Sequence, residues 1–449
     1  MKRTAIDLFL VCACLFSLDV CGEATIEPVS PAGGETVELL PEAQRIVMSF
    51  ETREERLSAL RDGVDGVQIA KKPRWRVSNP LVLRWRTKNG EKGPWRIALG
   101  KDSGLADASV WYVANANARK GAEGEGTVWE WAVPRHNLEL GRTFFWKVWS
   151  NVRCDGNGHA HGSTFAGPCP FCGKRVKVGE SPVAAFRTEL SPPRWIALES
   201  KVGNIRDIGG WAGGGGRRVR QGMVFRGECL HGDSVNGDRP GRNRLTVEDA
   251  AYLRDGLGIR TELDLRSERE TGGTVQSPIG EGVRYVNIPT AMYGGIFADG
   301  AEADSFGSRG KKAIAELFRY FCDRRNYPIY FHCQGGADRT GALAYVLGGV
   351  LGVSKHDLDV DWEQTFYPTL PEMEKGGNWR SLAGFDNGFA KYGDDDTPLH
   401  ERVRSFLLDC GITDKEISAF RSIMLESGAV ATAGANAKDK RGVERKSRR

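Results

Sequence analysis

Past its first two dozen residues the 449-residue chain has no long apolar run, which excludes a bundle of membrane-spanning helices, each needing about 20 consecutive apolar residues. It also has little charge of one sign where a fold would be. The formal net charge is +5, yet residues 438–449 alone hold seven Lys and Arg against Asp439 and Glu444. The remainder is balanced, which excludes a basic nucleic-acid-binding surface on the folded part. Nor do the ten cysteines make a disulfide framework. Cys12, Cys14 and Cys21 fall in the N-terminal segment, Cys154, Cys169 and Cys172 cluster, and Cys229, Cys322 and Cys410 are scattered like small buried hydrophobes. That leaves Cys333 to be accounted for.

What is present is globular: 40% hydrophobic and 27% charged residues in a length that suits two or three domains. Lys2 and Arg3, the apolar stretch Leu8 to Leu18 and the small residues around Gly22-Glu23-Ala24 read as an export leader over residues 1–24. The expectation is an exported protein, periplasmic or secreted; the alternative is a membrane anchor formed by the same segment. Residues 428–449 are small, polar and basic with no apolar period, which predicts a disordered tail.

From residue 25 the chain reads as extended to about 40, then helical from Pro41 to about Arg61. From Pro80 to Thr188 short alternating runs take over: Leu81, Leu83 and Trp85, then Trp129, Trp131 and Val133, then Phe144, Trp146 and Val148 each share one face of a strand. This pattern predicts a β-sandwich over residues 25–190. Asn137-Leu138 with Gly141 and the run Phe144-x-Trp146-x-Val148 resemble the late strands of a fibronectin type III or immunoglobulin-like module. Inward alternation assigns the tryptophans to core packing; the alternative is a cell-surface or glycan contact through the sandwich. Inside it, residues 153–175 carry Cys154, His159, His161, Cys169 and Cys172. Three thiolates and one imidazole, His159 or His161, suit a closed tetrahedral zinc site that would staple a glycine-rich insertion; a Cys169 to Cys172 disulfide is the rival. No general base stands in this motif, so the zinc would be structural and would be no cofactor of catalysis.

The most informative stretch is Phe331-His332-Cys333-Gln334-Gly335-Gly336-Ala337-Asp338-Arg339-Thr340-Gly341. A strand-like run from Tyr327 ends at His332, and an apolar helical pattern follows from Leu343. A tight loop between strand and helix aims successive backbone N–H groups at one centre beside a helix N-terminus, a cradle for a tetrahedral oxyanion. Cys333 placed there is favoured as thiolate by the helix end and by Arg339, below the ~8.5 of free cysteine. Arg339 adds a fork for two phosphoryl oxygens, where Lys offers only a point charge.

His-Cys-x5-Arg-Thr-Gly resembles the signature loop of the protein tyrosine phosphatase superfamily. Asn204-Ile205-Arg206-Asp207-Ile208-Gly209-Gly210, Gly222-Met223-Val224-Phe225-Arg226-Gly227 and Thr261-Glu262-Leu263-Asp264-Leu265-Arg266-Ser267 resemble, in order, three motifs of the bacterial tyrosine phosphatase family that has Asp before the loop arginine. The resemblance implies a multidomain chain: the β-sandwich first, then an α/β phosphatase domain over residues 191–427. It implies phosphomonoester hydrolysis through a cysteinyl-phosphate, with Cys333 as nucleophile, Arg339 as oxyanion clamp and Asp338 as general acid. Asp299 or Asp304, in the segment from Gly294 to Arg309, is the alternative acid. His332, Gln334, Gly335, Gly336, Ala337 and Thr340 complete the substrate-binding loop, with Thr340 supporting the thiolate. Arg206, Asp207 and Arg226 read equally as buried struts.

The implied substrates are phosphorylated protein or small phosphomonoesters. Ala337 stands where some relatives carry a Lys associated with phosphoinositides, which favours phosphotyrosine unless Arg217, Arg218 and Arg220 restore a basic rim. The alternatives are a phosphoinositide or inositol phosphate phosphatase and a non-catalytic phosphate-recognising binding protein; the intact Cys333, Asp338 and Arg339 speak against the last.

Overall fold

The computed structural model describes residues 26–64, 76–88, 93–113, 116–120, 126–150, 179–200, 202–232, 243–299, 309–367, 370 and 382–427. The leader, the insertion with Cys154, His159, His161, Cys169 and Cys172, the candidate acid Asp304 and the basic tail lie outside the described residues. Among the described residues no helix is long and apolar enough to cross a membrane.

Two units divide the chain. The first takes in the described parts of Met1–Glu35, Val82–Trp131 and Phe144–Ala185. The N-terminal strands are β1 (Ile26–Ser30), β2 (Glu35–Val37), β3 (Leu81–Thr87), β4 (Trp95–Gly100), β5 (Ser109–Val113), β6 (Asn117–Lys120), β7 (Thr127–Val133), β8 (Thr143–Ser150) and β9 (Ala184–Thr188). They form a four-stranded sheet in the order β1-β3-β7-β6 and a five-stranded sheet in the order β2-β9-β8-β4-β5. Successive strand residues face opposite ways, so Leu83 and Trp85 of β3 and Trp146 and Val148 of β8 are buried while their neighbours are half-buried. The Trp85 and Trp95 rings meet edge to face at 5.2 Å, and the Trp146 indole N–H donates to the Pro31 carbonyl at 2.8 Å.

The second unit comprises Thr36–Leu81, Ala132–Thr143 and Phe186–Arg449 in their described parts. Residues 36–81, which the sequence groups with the first domain, thus pack within the second unit. The helix predicted from Pro41 to Arg61 is two, α1 (Glu42–Met48) and α2 (Arg53–Asp62). The reason is local: the Thr52 hydroxyl accepts from the Glu55 amide while the Glu55 carboxylate takes the Thr52 amide, a capping box that starts a new helix.

The core of this unit is a six-stranded sheet. Its strands are β10 (Arg194–Trp195), β11 (Arg206–Asp207), β13 (Val224–Gly227), β14 (Thr261–Asp264), β15 (Arg284–Asn287) and β16 (Ile329–His332); β12 (Arg217–Val219) pairs separately with β17 (Leu425–Ser427). The order is β10-β11-β13-β16-β14-β15, with β13, β16, β14 and β15 mutually parallel and β10 and β11 antiparallel at one edge. His332 at the end of β16 is in register with Gly227 on one side and Asp264 on the other. Three parallel strands therefore finish together at the cysteine loop.

The helices are α3 (Val247–Ala251), α4 (Glu268–Thr271), α5 (Lys311–Phe321), α6 (Asp338–Val350), α7 (Lys355–Gln364), α8 (Ala383–Phe389), α9 (Leu399–Asp409) and α10 (Asp414–Met424). Parallel strands joined by helical crossovers are buried on both faces. Leu263, Ile329 and Phe331 enter the main core with Phe318, Leu343 and Val346. The alternate residues Phe225 and Tyr330 enter a second apolar cluster with Ile205 and Leu253, and Glu262, Asp264 and His332 are buried there too.

Candidate active site

Cys333 to Ala337 connect β16 to α6. Gly336 has φ +64, and a Cβ there would lie 2.4 Å from the Gly227 carbonyl, so only glycine lets the loop close against β13. The carbonyls of Gly335 and Gly336 are taken from behind: Asn204 Nδ2 donates to both at 3.1 Å, and Arg226 Nη2 donates to Gly336 at 3.0 Å. A trans peptide points its N–H away from its C=O, so the amides of Gly336 and Ala337 turn toward the loop's other side. Ala337, the N-cap residue of α6, offers no side-chain acceptor to the first helical amides. The loop thus gathers backbone donors in an arrangement that can hold an oxyanion.

Cys333 is buried. Burial alone pushes its thiol up, but the Arg339 charge and the Thr340 hydroxyl and amide outweigh it against a smaller push from Asp338, so the pKa falls below its ordinary value. The Thr340 hydroxyl is buried and meets no oxygen or nitrogen partner among the described residues; the Cys333 thiolate is the group it favours. Arg339 is fixed by a fork-to-fork pair with Glu270, Nη1 to Oε2 at 2.7 Å and Nη2 to Oε1 at 2.6 Å. Burial raises the Glu270 carboxyl, yet Arg339 and the Ser267 hydroxyl and amide bring it down to about 2. Glu270 is available because Ser267 and Glu270 form the capping box of the short helix α4.

Below the loop lies a layer of buried charge. His332 is fully buried, with Nε2 2.8 Å from Glu262 Oε1 and Nδ1 3.0 Å from the Cys333 carbonyl. Burial lowers its pKa, but Asp264 and Glu262 more than reverse this and the net shift is upward. Arg266 grips Asp264 through Nε at 3.0 Å and Nη2 at 2.7 Å, and the Tyr285 hydroxyl donates to the same carboxylate at 3.0 Å. His332 was expected in the substrate-binding loop; with no exposure it reaches substrate only by holding the Cys333 carbonyl.

Of the candidate acids, Asp338 lies in the first turn of α6 and accepts from the Tyr293 hydroxyl. Asp299 is paired with Lys311 at 2.6 Å, and Lys311 also holds Asp409 at 2.7 Å. That pairing commits Asp299 to a surface ion cluster. Gln334 is half-buried and its carbonyl accepts from the Cys229 amide at 3.0 Å, while Gly335 is exposed. Arg218 and Arg220, candidates for a basic rim, share Glu426 at 2.9 and 3.6 Å, and Arg217 donates to the Gly214 carbonyl at 3.3 Å.

Arg206, Asp207 and Arg226 are struts. Asp207 takes the amides of Gly209 and Gly222 at 2.8 and 2.6 Å and Arg194 at 3.3 Å. Arg206 Nε and Arg226 Nη1 each reach a different oxygen of Asp361 at 2.8 Å. Sequence reasoning missed Glu270, Tyr293 and Asp361. The Ser-x-x-Glu spacing of Ser267 and Glu270 signals a helix start and nothing of the arginine it clamps; Tyr293 and Asp361 carry no signal in sequence.

Residues 198–426, a little over half of the 449, match the tyrosine phosphatase family. The chain belongs to that family. A relative in Cupriavidus necator, named putative tyrosine-protein phosphatase, is 29% identical over 175 residues, 35% of this chain and 58% of the relative. The chain thus spans a little over half the length of that relative. Among solved structures, the core catalytic domain of the PP-IP phosphatase SIW14 from S. cerevisiae, crystallised with citrate, is similar at 14% identity, covering 37% of this chain and 88% of that one with a TM-score of 0.23.

Proposed function

We propose that the phosphatase-family domain hydrolyses phosphomonoesters through a cysteinyl-phosphate, with phosphotyrosine or another aryl phosphate as the preferred substrate. The Cys333 thiolate attacks phosphorus while the bond to the ester oxygen breaks, and Asp338 gives that oxygen its proton. Water then attacks the phosphocysteine, Asp338 takes its proton, and the thiolate leaves with support from Thr340. The loop amides and Arg339 hold the charge that builds on the equatorial oxygens. The observation that carries this reading is the pairing of a lowered Cys333 pKa with an Arg339 fork aimed by Glu270.

Specificity rests on Arg339 being the only cationic side chain from Cys333 to Thr340: Ala337 adds no charge, and Arg218 and Arg220 are paired with Glu426. A singly phosphorylated aryl group needs only the cradle and Arg339. The test is kcat/KM for a phosphotyrosine peptide against a soluble inositol polyphosphate; preference for the latter overturns the substrate assignment.

The first unit is read as an immunoglobulin-like β-sandwich, a reading supported by the Trp85 and Trp95 contact between strands of its two sheets. Its Cys/His insertion is read as a structural zinc site and the N-terminal segment as an export leader. Elemental analysis of protein purified under reducing conditions is expected to find about one zinc per chain. No zinc together with a Cys169 to Cys172 disulfide would favour the rival.

A further inference from the structure

The second unit contains a helical pair that the family match at residues 198–426 does not include. Leu40, Val47, Met48, Ala59 and Leu60 on and beside α1 and α2 join the same core as Trp362, Phe366 and Tyr367 at the end of α7. The polar contacts are more specific than this packing. Arg56, 1% exposed, meets Glu363, 0% exposed, through Nε at 2.6 Å and Nη2 at 3.1 Å. Its remaining nitrogen, Nη1, donates to the carbonyls of Phe50 and Glu51 and so ties the turn between α1 and α2 to the same guanidinium. Arg53 lies over the Trp362 ring at 5.5 Å, and the Gln44 amide donates to Gln364.

The residues next to Glu363 on α7 face the cysteine loop. Asp361 holds both Arg206 and Arg226, and Arg226 passes this on to the Gly336 carbonyl. The Trp362 ring seats the loop's helix: a Cβ on Gly341 would lie 3.1 Å from it. The same ring packs edge-on against Tyr293 at 6.3 Å, and Tyr293 donates to Asp338. One helical turn is thus gripped by α2 through Glu363 and grips the loop through Asp361 and Trp362.

We infer that the α1 and α2 pair is part of the catalytic unit of this chain, and that Arg56 and Glu363 are positioning residues which set the loop by fixing the Asp361-Trp362 turn of α7. Arg56 touches neither substrate nor the reacting atoms. The position asks for arginine, because a lysine offers no planar fork to satisfy both Glu363 and the two turn carbonyls. The inference rests on the reading of Cys333 as nucleophile, but one arm of its test, the alkylation of Cys333, does not depend on turnover.

The experiment uses the full chain and the paired variant Arg56→Met with Glu363→Met, which removes the buried pair at once and leaves only Arg53, a quarter exposed and 3.4 Å from Glu363 in the wild type, to turn to water. Two quantities are read: kcat and KM for p-nitrophenyl phosphate, and the apparent pKa of Cys333 from its alkylation by iodoacetamide. The expected result is a kcat about tenfold lower, a KM within about twofold of wild type and a raised Cys333 pKa, because a displaced loop loses alignment before it loses affinity. A folded paired variant with wild-type kcat and alkylation profile overturns the inference and reduces the ion pair to a stabilising contact. Should the paired variant not fold, Arg56→Lys keeps the charge and loses the fork, and the same two outcomes decide. A wild type inert toward all phosphomonoesters would contradict the proposed function alone, since the alkylation comparison still reports the coupling.

Discussion

Glu270 holds Arg339 by two parallel hydrogen bonds of 2.7 and 2.6 Å, so the guanidinium proposed to meet a phosphoryl group is already fixed in plane. Glu270→Gln keeps the size and removes the charge-assisted fork. The expected effect is a fall in kcat/KM of about ten- to a hundredfold, the scale of a small misplacement at a reacting centre, with Cys333 still alkylated rapidly. Steady-state kinetics on p-nitrophenyl phosphate checks this, and an unchanged rate would make Glu270 dispensable.

Glu270 also sets a pH limit. Its folded pKa is depressed to about 2 from the ~4.3 of a free glutamate, so the stability it contributes is present above ~4.3 and lost as pH falls toward about 2. Glu270→Gln should flatten the acid limb of the melting temperature over that window and leave the slope near neutrality unchanged. Thermal melts at a series of pH values measure it.

How much of this was legible in the sequence follows from where the information sits. Cys333, Arg339 and Asp338 lie within seven residues of one another, so spacing alone exposes them, and the strand before and helix after are strongly patterned. The β14 motif was visible as a motif, but its Glu262 and Asp264 lie under His332 only because parallel pairing of β14 with β16 puts them in register. Asp361 and Tyr293 act across the fold, and their neighbours in sequence carry no trace of it. The helix break at Thr52 was readable from Thr52 and Glu55, whereas the attachment of α1 and α2 to α7 depends on Arg56 meeting Glu363, 307 residues apart.

Asp338 and Tyr293 are expected to divide the leaving-group step. Asp338→Asn should slow an alkyl phosphate by about a hundredfold or more, the usual worth of a general acid, while p-nitrophenyl phosphate, whose leaving group scarcely needs a proton, loses far less. Tyr293→Phe removes the hydroxyl that orients the carboxylate and should give a smaller loss with the same selectivity. If Asp304→Asn shows that selectivity and Asp338→Asn does not, the acid is supplied from outside the loop.

Gly336→Ala tests the loop's shape. The position combines φ +64 with a 2.4 Å approach to the Gly227 carbonyl, and a strained backbone of this kind costs roughly 1–3 kcal/mol before any clash is counted. The variant should melt earlier and lose most turnover, while Gly335→Ala, where a Cβ meets nothing within 4 Å, should fold normally. Paired melting curves and rates distinguish the two.

Whether Cys333 is a lowered-pKa nucleophile is decided by the rate of p-nitrophenyl phosphate hydrolysis by wild type and by Cys333→Ser, with the wild-type protein quenched in acid during turnover and analysed by mass spectrometry. The expected result is a phosphate adduct on Cys333 and a rate for the serine variant lower by more than about a thousandfold, the scale seen when a nucleophile is removed, because an alcohol is not ionised where the thiol is. A serine variant retaining a tenth of the wild-type rate, or turnover with no adduct on Cys333, would contradict it.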